Sequence, residues 1–337
     1  MSVRLEACAK VFLAGEYAVL EPRRPALVVG IDRKLHAIAD RSGRGLRIVH
    51  APTGVAWDGG APPPELRFAA RAAELALRFC GGGGDLRIVF EDDLALEGRK
   101  LGLGGSAAAC VLAVRAVCAT SATAVGEDEV VSLALAAHWV EQGGSGSGAD
   151  VAAAAFGGVL EVRSEFSWRN GEEVMAMAPE EIAAARPLRI RRVRVPPDLR
   201  LLLAYAGAPA DTRAMVREVR KLARSDPGRW AARVREISEA AEQLRDSLES
   251  ADRLATLAAV RRGGAAMEAL GQDARVPIVT PELARACALA SAAGAAGKPS
   301  GAGGGDCAVI LAFGDEDRDR AEAALRPHLP VFHVAPA

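Results

Sequence analysis

Aromatic side chains are scarce in this 337-residue chain, at 4 %, which removes the stacking platform on which single-stranded nucleic acid is usually bound. Charge of one sign is missing as well. With 42 Lys and Arg against 43 Asp and Glu the formal net charge is −1, so no global field attracts nucleic acid or anionic lipid, and any phosphate binding has to be local. The six cysteines (Cys8, Cys80, Cys110, Cys118, Cys287, Cys307) include no C-x-x-C pair, and most lie among apolar residues, so they read as reduced core thiols of a cytosolic protein. No apolar run reaches membrane-spanning length, because Arg115 interrupts the best stretch, 103–114. Met1-Ser2-Val3-Arg4 leads into a mixed segment and not into a signal-peptide core. A cytoplasmic protein with no nucleic-acid or membrane partner is expected.

Glycine, by contrast, is abundant, with 35 residues, and it is concentrated in three loops. Gly301-Ala302-Gly303-Gly304-Gly305 is followed at once by Asp306-Cys307 and the apolar run 308–313. Such a density of glycine carries an entropic penalty that positive φ angles or close approach of main chain to a ligand would justify. Gly102-Leu103-Gly104-Gly105-Ser106-Ala107 and Gly143–Asp150 are two further glycine/serine loops that lead into alanine-rich stretches. Three such loops in one chain suggest a site that wraps polyphosphate with backbone N–H groups.

Along the chain, the apolar runs within 3–20 and 26–40, parted by Glu21-Pro22-Arg23-Arg24-Pro25, read as antiparallel strands, with further strands near 46–49, 55–57 and 86–90. Helices are expected over 62–80, 106–120 and 127–142, with 151–156 continuing helically before a strand at 158–163. The polar stretch 164–187 suggests a boundary between two domains, 1–185 and 186–337. The second half opens with strands near 188–195 and 199–205. A helix carrying Trp230, Val234, Ile237, Ala241, Leu244 and Leu248 follows, and Thr280-Pro281 reads as an N-cap with proline at the first helical position. That last helix should run to Gly294 or Gly297, directly ahead of the third loop.

Two familiar nucleotide signatures fail here. Gly102-x-Gly104-x-x-Ala107 formally matches a dinucleotide fingerprint, but Glu97-Gly98-Arg99-Lys100 stands where a buried strand is required. Gly297-Lys298 lacks both the first glycine and the Ser/Thr of a P-loop. What remains is a loop whose Ser106 either caps a helix or meets an anion at the helix N-terminus.

Three motifs in order make the chain similar to the GHMP kinase superfamily of galactokinase, homoserine kinase, mevalonate kinase and phosphomevalonate kinase. They are Lys10-Val11-Phe12-Leu13-Ala14-Gly15-Glu16-Tyr17-Ala18-Val19-Leu20, Gly102–Ala109 and Ser300–Cys307. Gly146-Ser147-Gly148-Ala149-Asp150 and Ser300–Cys307 most resemble the phosphomevalonate kinase branch. The resemblance departs from the family at Gly105, where the central loop commonly carries a first serine. It implies an α+β, two-domain fold with ATP and its acceptor in the cleft, and transfer of the γ-phosphoryl group to (R)-5-phosphomevalonate with Mg²⁺. It implies catalytic roles for Lys10 and Asp150, and places the nucleotide phosphates on Gly102, Leu103, Gly104, Gly105, Ser106 and Ala107. Metal contacts are implied at Ser106 and Glu141. The acceptor is implied to meet Glu16, Tyr17, Ser145, Ser147 and Gly148, then Ser300, Gly301, Ala302, Gly303, Gly304 and Asp306, with Arg33, Lys34 and Arg213 as cations. His138 reads as a packed helix histidine. A mevalonate-type kinase or diphosphomevalonate-type decarboxylase would share the loops, and a catalytically silent sensor is the remaining alternative. A monomer or homodimer is expected.

Overall fold

In a computed structural model the chain is described throughout except at residues 1, 43, 83–84, 93, 96–100, 122, 167 and 208–210. Residues 97–100, used above in rejecting the dinucleotide fingerprint, therefore lie outside the described residues. The first half contains β1 (Ser2–Ala14), β2 (Pro25–Asp40), β3 (Leu46–His50), β4 (Val55–Trp57), α1 (Arg67–Phe79) and β5 (Leu86–Phe90). It continues with α2 (Gly105–Thr120), α3 (Glu127–Glu141), α4 (Ala149–Phe156), β6 (Gly158–Ser164), α5 (Gly171–Ala176), α6 (Pro179–Ala185) and β7 (Leu188–Arg192). The second half contains β8 (Leu199–Tyr205), α7 (Thr212–Ser225), α8 (Pro227–Glu249) and α9 (Arg253–Ala274). The chain closes with α10 (Pro281–Ala292), β9 (Ala296–Pro299), β10 (Cys307–Phe313), α11 (Gly314–Leu325) and β11 (Val331–Val334).

Seven strands form the first sheet, in the order β4-β3-β5-β2-β6-β7, with β1 pairing antiparallel along β2. Among the described residues only β3 and β5 pair in parallel. Because β2 runs for 16 residues, its far end pairs with β5 and its near end with β6, and the register of β1 against it shifts at Cys8/Ala9. The helices α1, α2 and α3 cover one face, and their alanines let them pack closely over Ala37, Ala39, Ile48 and Ile88. The second sheet, β11-β8-β10-β9, is antiparallel. Its inner face (Leu201, Leu203, Val309, Leu311) shares one core with Val11, Leu13, Leu27 and Val29 of the first sheet and with Leu244 and Val260 of α8 and α9. The two halves are thus joined by a continuous apolar layer. Among the described residues no helix is long and apolar enough to cross a membrane.

Two details differ from the reading of the sequence. The change of sheet falls after β7, which pairs with β6, and so lies beyond the boundary placed at 185/186. The segment 296–299, expected to belong to a helix end, is instead the edge strand β9, paired with β10 from Ala308↔Pro299 to Leu311↔Ala296. Thr280 does cap α10, its hydroxyl accepting from the Leu283 N–H.

Candidate active site

A cavity of about 620 Å³ lies where the glycine loops meet the end of β1. Gly102 (φ +68°) and Gly104 (φ +84°) turn the chain into α2 in the left-handed region that glycine tolerates best. The backbone N–H groups of the first turn of α2 have no intrahelical partner, and Gly104, Gly105 and Ser106 line the cavity. Lys10 crosses beneath this turn. Its N–H donates to the Leu103 carbonyl at 2.8 Å and its ammonium to the Gly102 carbonyl at 2.8 Å, 5.4 Å from the centre of the Phe12 ring. A Cβ on Gly104 would sit 2.7 Å from Lys10 Cγ, so the glycine makes room for the lysine stem. Burial lowers the Lys10 pKa from its ordinary value, against the pull of the Asp150, Asp306 and Glu16 carboxylates.

The second loop enters α4 through Gly146 (φ +111°) and Gly148 (φ +74°). Asp150 stands in the first turn of α4, accepts from the Val151 N–H at 3.0 Å, and lines the cavity with Ser147. The helix cap is Gly148, not Asp150. The third loop closes the opposite wall. Ser300 Oγ accepts from the Phe12 N–H at 3.0 Å, and the Tyr17 hydroxyl donates to the Ala302 carbonyl at 2.6 Å, so β1 and the loop are tied together. Asp306 packs against Gly102, where a Cβ would meet its Oδ2 at 2.5 Å. The lining also includes the apolar Leu35, Leu66, Phe68, Ala69 and Phe90, together with His50 and Glu65.

Several expected residues are brought together at this cavity: Lys10, Glu16, Tyr17, Gly102 to Ser106, Ser147, Asp150, Ser300, Gly301, Ala302 and Asp306 all line it. Ala107 lies fully buried in the first turn of α2, and Gly148 just behind Ser147. Gly303 and Gly304 fold away from the cavity against Ile278 and Met215. Ser145 turns back to donate to the Gln142 carbonyl.

Three expectations need correction. Glu141 does not line the cavity; its carboxylate is held by Arg71 Nε of α1 at 3.0 Å. Arg33 is exposed on β2, and Lys34 donates to Glu6 at 2.5 Å across the β1–β2 pair, so neither reaches the cavity. The resemblance implies that both meet the acceptor, whereas the register shift in β1–β2 falls at this stretch and leaves it facing outward. Arg213 occupies the first turn of α7 between Thr212 and Val216, which do line the cavity.

Two residues at the site were not recognised from sequence. His138 is buried, with Nε2 3.1 Å from Ser106 Oγ and 3.7 Å from Asp150 Oδ2. Burial lowers its pKa, opposed by Asp150, so the neutral ring is favoured. Lys298 is fully buried against Glu16. A helical histidine offers no signal for such contact, and Lys298 stood in a failed P-loop match.

Matches to known proteins follow this geometry. Residues 67–158 match the model of the GHMP kinases N terminal domain, and residues 256–330 that of the GHMP kinases C terminal. The chain is 30 % identical over 344 aligned positions to a phosphomevalonate kinase of Streptomyces sp. (strain CL190), covering 93 % of this chain and 90 % of that one. It shares its fold with a Streptococcus pneumoniae phosphomevalonate kinase solved with phosphomevalonate and AMPPNP (TM-score 0.87, 22 % identity, 99 % and 100 % of the two chains). The Lin0012 protein from Listeria innocua is equally similar in fold (TM-score 0.88, 23 % identity, 100 % and 99 %). With its loops in the family's order around one cavity and this degree of identity along nearly its whole length, the chain belongs to the GHMP kinase family.

Proposed function

We propose that the protein transfers the γ-phosphoryl group of ATP to the phosphate of (R)-5-phosphomevalonate, giving ADP and the 5-diphosphate in isoprenoid precursor synthesis. The observation that carries this reading is the meeting of Lys10, the α2 N-terminus and the Ser300–Asp306 loop on a single cavity. The choice of acceptor follows from the likeness to the Streptomyces phosphomevalonate kinase.

Phosphoryl transfer requires mainly positioning and charge neutralisation. The left-handed turns at Gly102 and Gly104 aim backbone N–H groups and the positive end of α2 at the nucleotide phosphates. Lys10 then faces the transferring group, where its ammonium offsets developing charge. The apolar lining residues Leu66, Phe68 and Phe90 suit the base of the nucleotide. An acceptor phosphate oxygen attacks the γ-phosphorus as the bond to the β-phosphate oxygen breaks, and ADP carries away that electron pair. A phosphomonoester with a second pKa near about 6 is already largely dianionic at pH 7, so no base has to remove a proton. Asp150 accordingly serves by orienting Lys10 and, when it is bound, Mg²⁺, and Arg213, beside the lining residue Thr212, meets the acceptor's charge.

Magnesium fits the donor set. The Ser106 hydroxyl, 3.1 Å from His138 Nε2, and the Asp150 carboxylate are oxygen donors on the cavity wall, and Mg²⁺ takes one or two such ligands alongside substrate phosphates and water. When bound it supplies charge neutralisation at the phosphates. A fully protein-built metal cluster is absent among the described residues. ADP release measured with mevalonate, 5-phosphomevalonate, homoserine and galactose tests the reading; turnover confined to 5-phosphomevalonate is expected, and preference for any other acceptor would overturn it.

A further inference from the structure

Between Thr212 and Ser225, α7 carries five cations, Arg213, Arg217, Arg220, Lys221 and Arg224, against the single carboxylate of Glu218. The chain as a whole is almost neutral, so this is a local excess. The four arginines follow one another at i, i+4, i+7 and i+11. At 3.6 residues per turn that spacing gathers them within an arc of about 60° and spreads them over about 16 Å of helix. All four are exposed, and Arg213, Arg220 and Arg224 have no ion pair among the described residues. Arg217 comes within 3.7 Å of Glu218, whose carboxylate also takes Lys221 at 2.5 Å. The nearest other carboxylates stand at the ends of the helix, where Asp211 accepts from the Ala214 N–H and Asp226 from the Arg229 N–H. Like charges one turn apart destabilise a helix, so the row works against the stability of α7.

The row starts at the cavity. Thr212 and Val216 line it, Met215 packs against Gly304 of the third loop, and Val219 and Leu222 are buried beneath. The arginines lie about 90° around the helix from the edge formed by Thr212 and Val216. Arg213 is close enough for its charge to oppose protonation of His138, which stands against Ser106 and Asp150. Arg217, Arg220 and Arg224 follow at about 6, 10 and 16 Å along the axis from Arg213, and none of them lines the cavity. The acceptor is an anion. On the reading that it is 5-phosphomevalonate, its carboxylate and phosphate together carry about three negative charges at pH 7, more than Mg·ATP, in which the metal offsets part of the charge.

We infer that the arginine row of α7 is an electrostatic approach path for the acceptor: Arg217, Arg220 and Arg224 draw the phosphorylated anion along the helix towards Arg213 and the cavity, and do not hold it in the reacting complex. Water and salt screen each exposed cation, so the row binds the anion too loosely to compete with the cavity. Cations set in line beside a cleft nevertheless raise the rate of encounter with an oppositely charged ligand by about 10–10³-fold at low salt.

The test compares wild type with Arg217→Gln/Arg220→Gln/Arg224→Gln and with Arg217→Lys/Arg220→Lys/Arg224→Lys, measuring kcat/KM for 5-phosphomevalonate and for Mg·ATP by steady-state ADP release. Charges act over about 20 Å at about 20 mM ionic strength and over about 4 Å at about 0.5 M. At the lower salt the glutamine variant should lose about tenfold in kcat/KM for 5-phosphomevalonate and less than about threefold for Mg·ATP, with kcat within about twofold of wild type. At the higher salt it should match wild type within about twofold, and the lysine variant should match wild type at both. Glutamine and lysine are good helix formers, so both variants should melt no lower than wild type. Should the glutamine triple melt early, the same comparison on Arg220→Gln/Arg224→Gln, at the end of the row farthest from the cavity, decides the matter. Wild-type kcat/KM in the glutamine variant at low salt overturns the approach path and leaves the kinase activity intact. A loss that persists at high salt, or that the lysine variant shares, also overturns it, because such a loss marks direct contact or a disturbed helix. Failure of wild type to use 5-phosphomevalonate at all overturns both this inference and the proposed function.

Discussion

Replacing Gly104 by alanine asks whether the central loop works through Lys10. The residue has φ +84°, where an L-residue costs about 1–2 kcal/mol, a loss a folded domain can survive. The new Cβ would lie 2.7 Å from Lys10 Cγ and 3.2 Å from Cε. Ordinary carbon contacts need about 3.5–4.0 Å, so the lysine stem has to shift by about 1 Å and the ammonium gives up its bond to the Gly102 carbonyl. A misplacement of this size can cost about 10²-fold in rate, the scale also expected for deleting the charge in Lys10→Met. Steady-state ADP release should therefore show kcat reduced by about 10²-fold in each single variant, with thermal melting confirming a folded protein. The Gly104→Ala/Lys10→Met double variant should fall within about threefold of Lys10→Met, because the two changes remove one interaction. A near-normal kcat in folded Gly104→Ala refutes the reasoning, and multiplicative losses in the double variant would mean that the loop acts independently of Lys10.

Arg213→Ala should raise the KM for 5-phosphomevalonate by about tenfold, the effect of losing one charged contact, with the KM for ATP much less affected; equal rises would remove Arg213 from the acceptor side. The kcat/KM of Asp150→Asn should fall yet keep its acidic limb near about pH 6, where the acceptor phosphate titrates; disappearance of that limb would make Asp150 a general base. Glu161 is buried beneath Arg163, Arg191 and Arg245; burial raises its pKa, but the arginines outweigh this and hold it below the usual 4.5. A depressed carboxylate stabilises the fold above its unfolded pKa and loses that contribution as pH falls through the folded value. Wild type should thus lose melting temperature below about pH 4.5 more steeply than Glu161→Gln, and the variant should be less stable by about 1–3 kcal/mol at pH 7; parallel acid profiles would contradict this.

Much of the fold and of the glycine loops that line the cavity could be read in the chain because their signals are local. Glycines that need positive φ stand together at 102–104, 146–148 and 301–305, and Thr280-Pro281 marks its helix start by side-chain chemistry alone. The misread features all depend on register or on distant partners. Whether Arg33 and Lys34 face the cavity is decided by the shift in β1–β2 pairing at Cys8/Ala9, which no composition reveals. Glu141 has a suitable chemistry and a nearby sequence position, but Arg71, 70 residues away, takes its carboxylate. The segment 296–299 has glycine and proline, poor strand formers, and becomes a strand through pairing with the apolar β10. Lys298 is marked in the sequence only by a failed P-loop match, and the glycine pair Gly263-Gly264 on α9 and Glu16 at the other end of the chain explain its burial.

The central claim is that a phosphoryl group is transferred onto a phosphate oxygen at this cavity, and ³¹P NMR of the protein incubated with Mg·ATP and 5-phosphomevalonate tests it most directly. The account predicts loss of the phosphomonoester signal with appearance of ADP and one new pair of mutually coupled diphosphate resonances, all suppressed in Lys10→Met. Release of inorganic phosphate with the monoester untouched, or a new monoester formed from unphosphorylated mevalonate in preference, would contradict it.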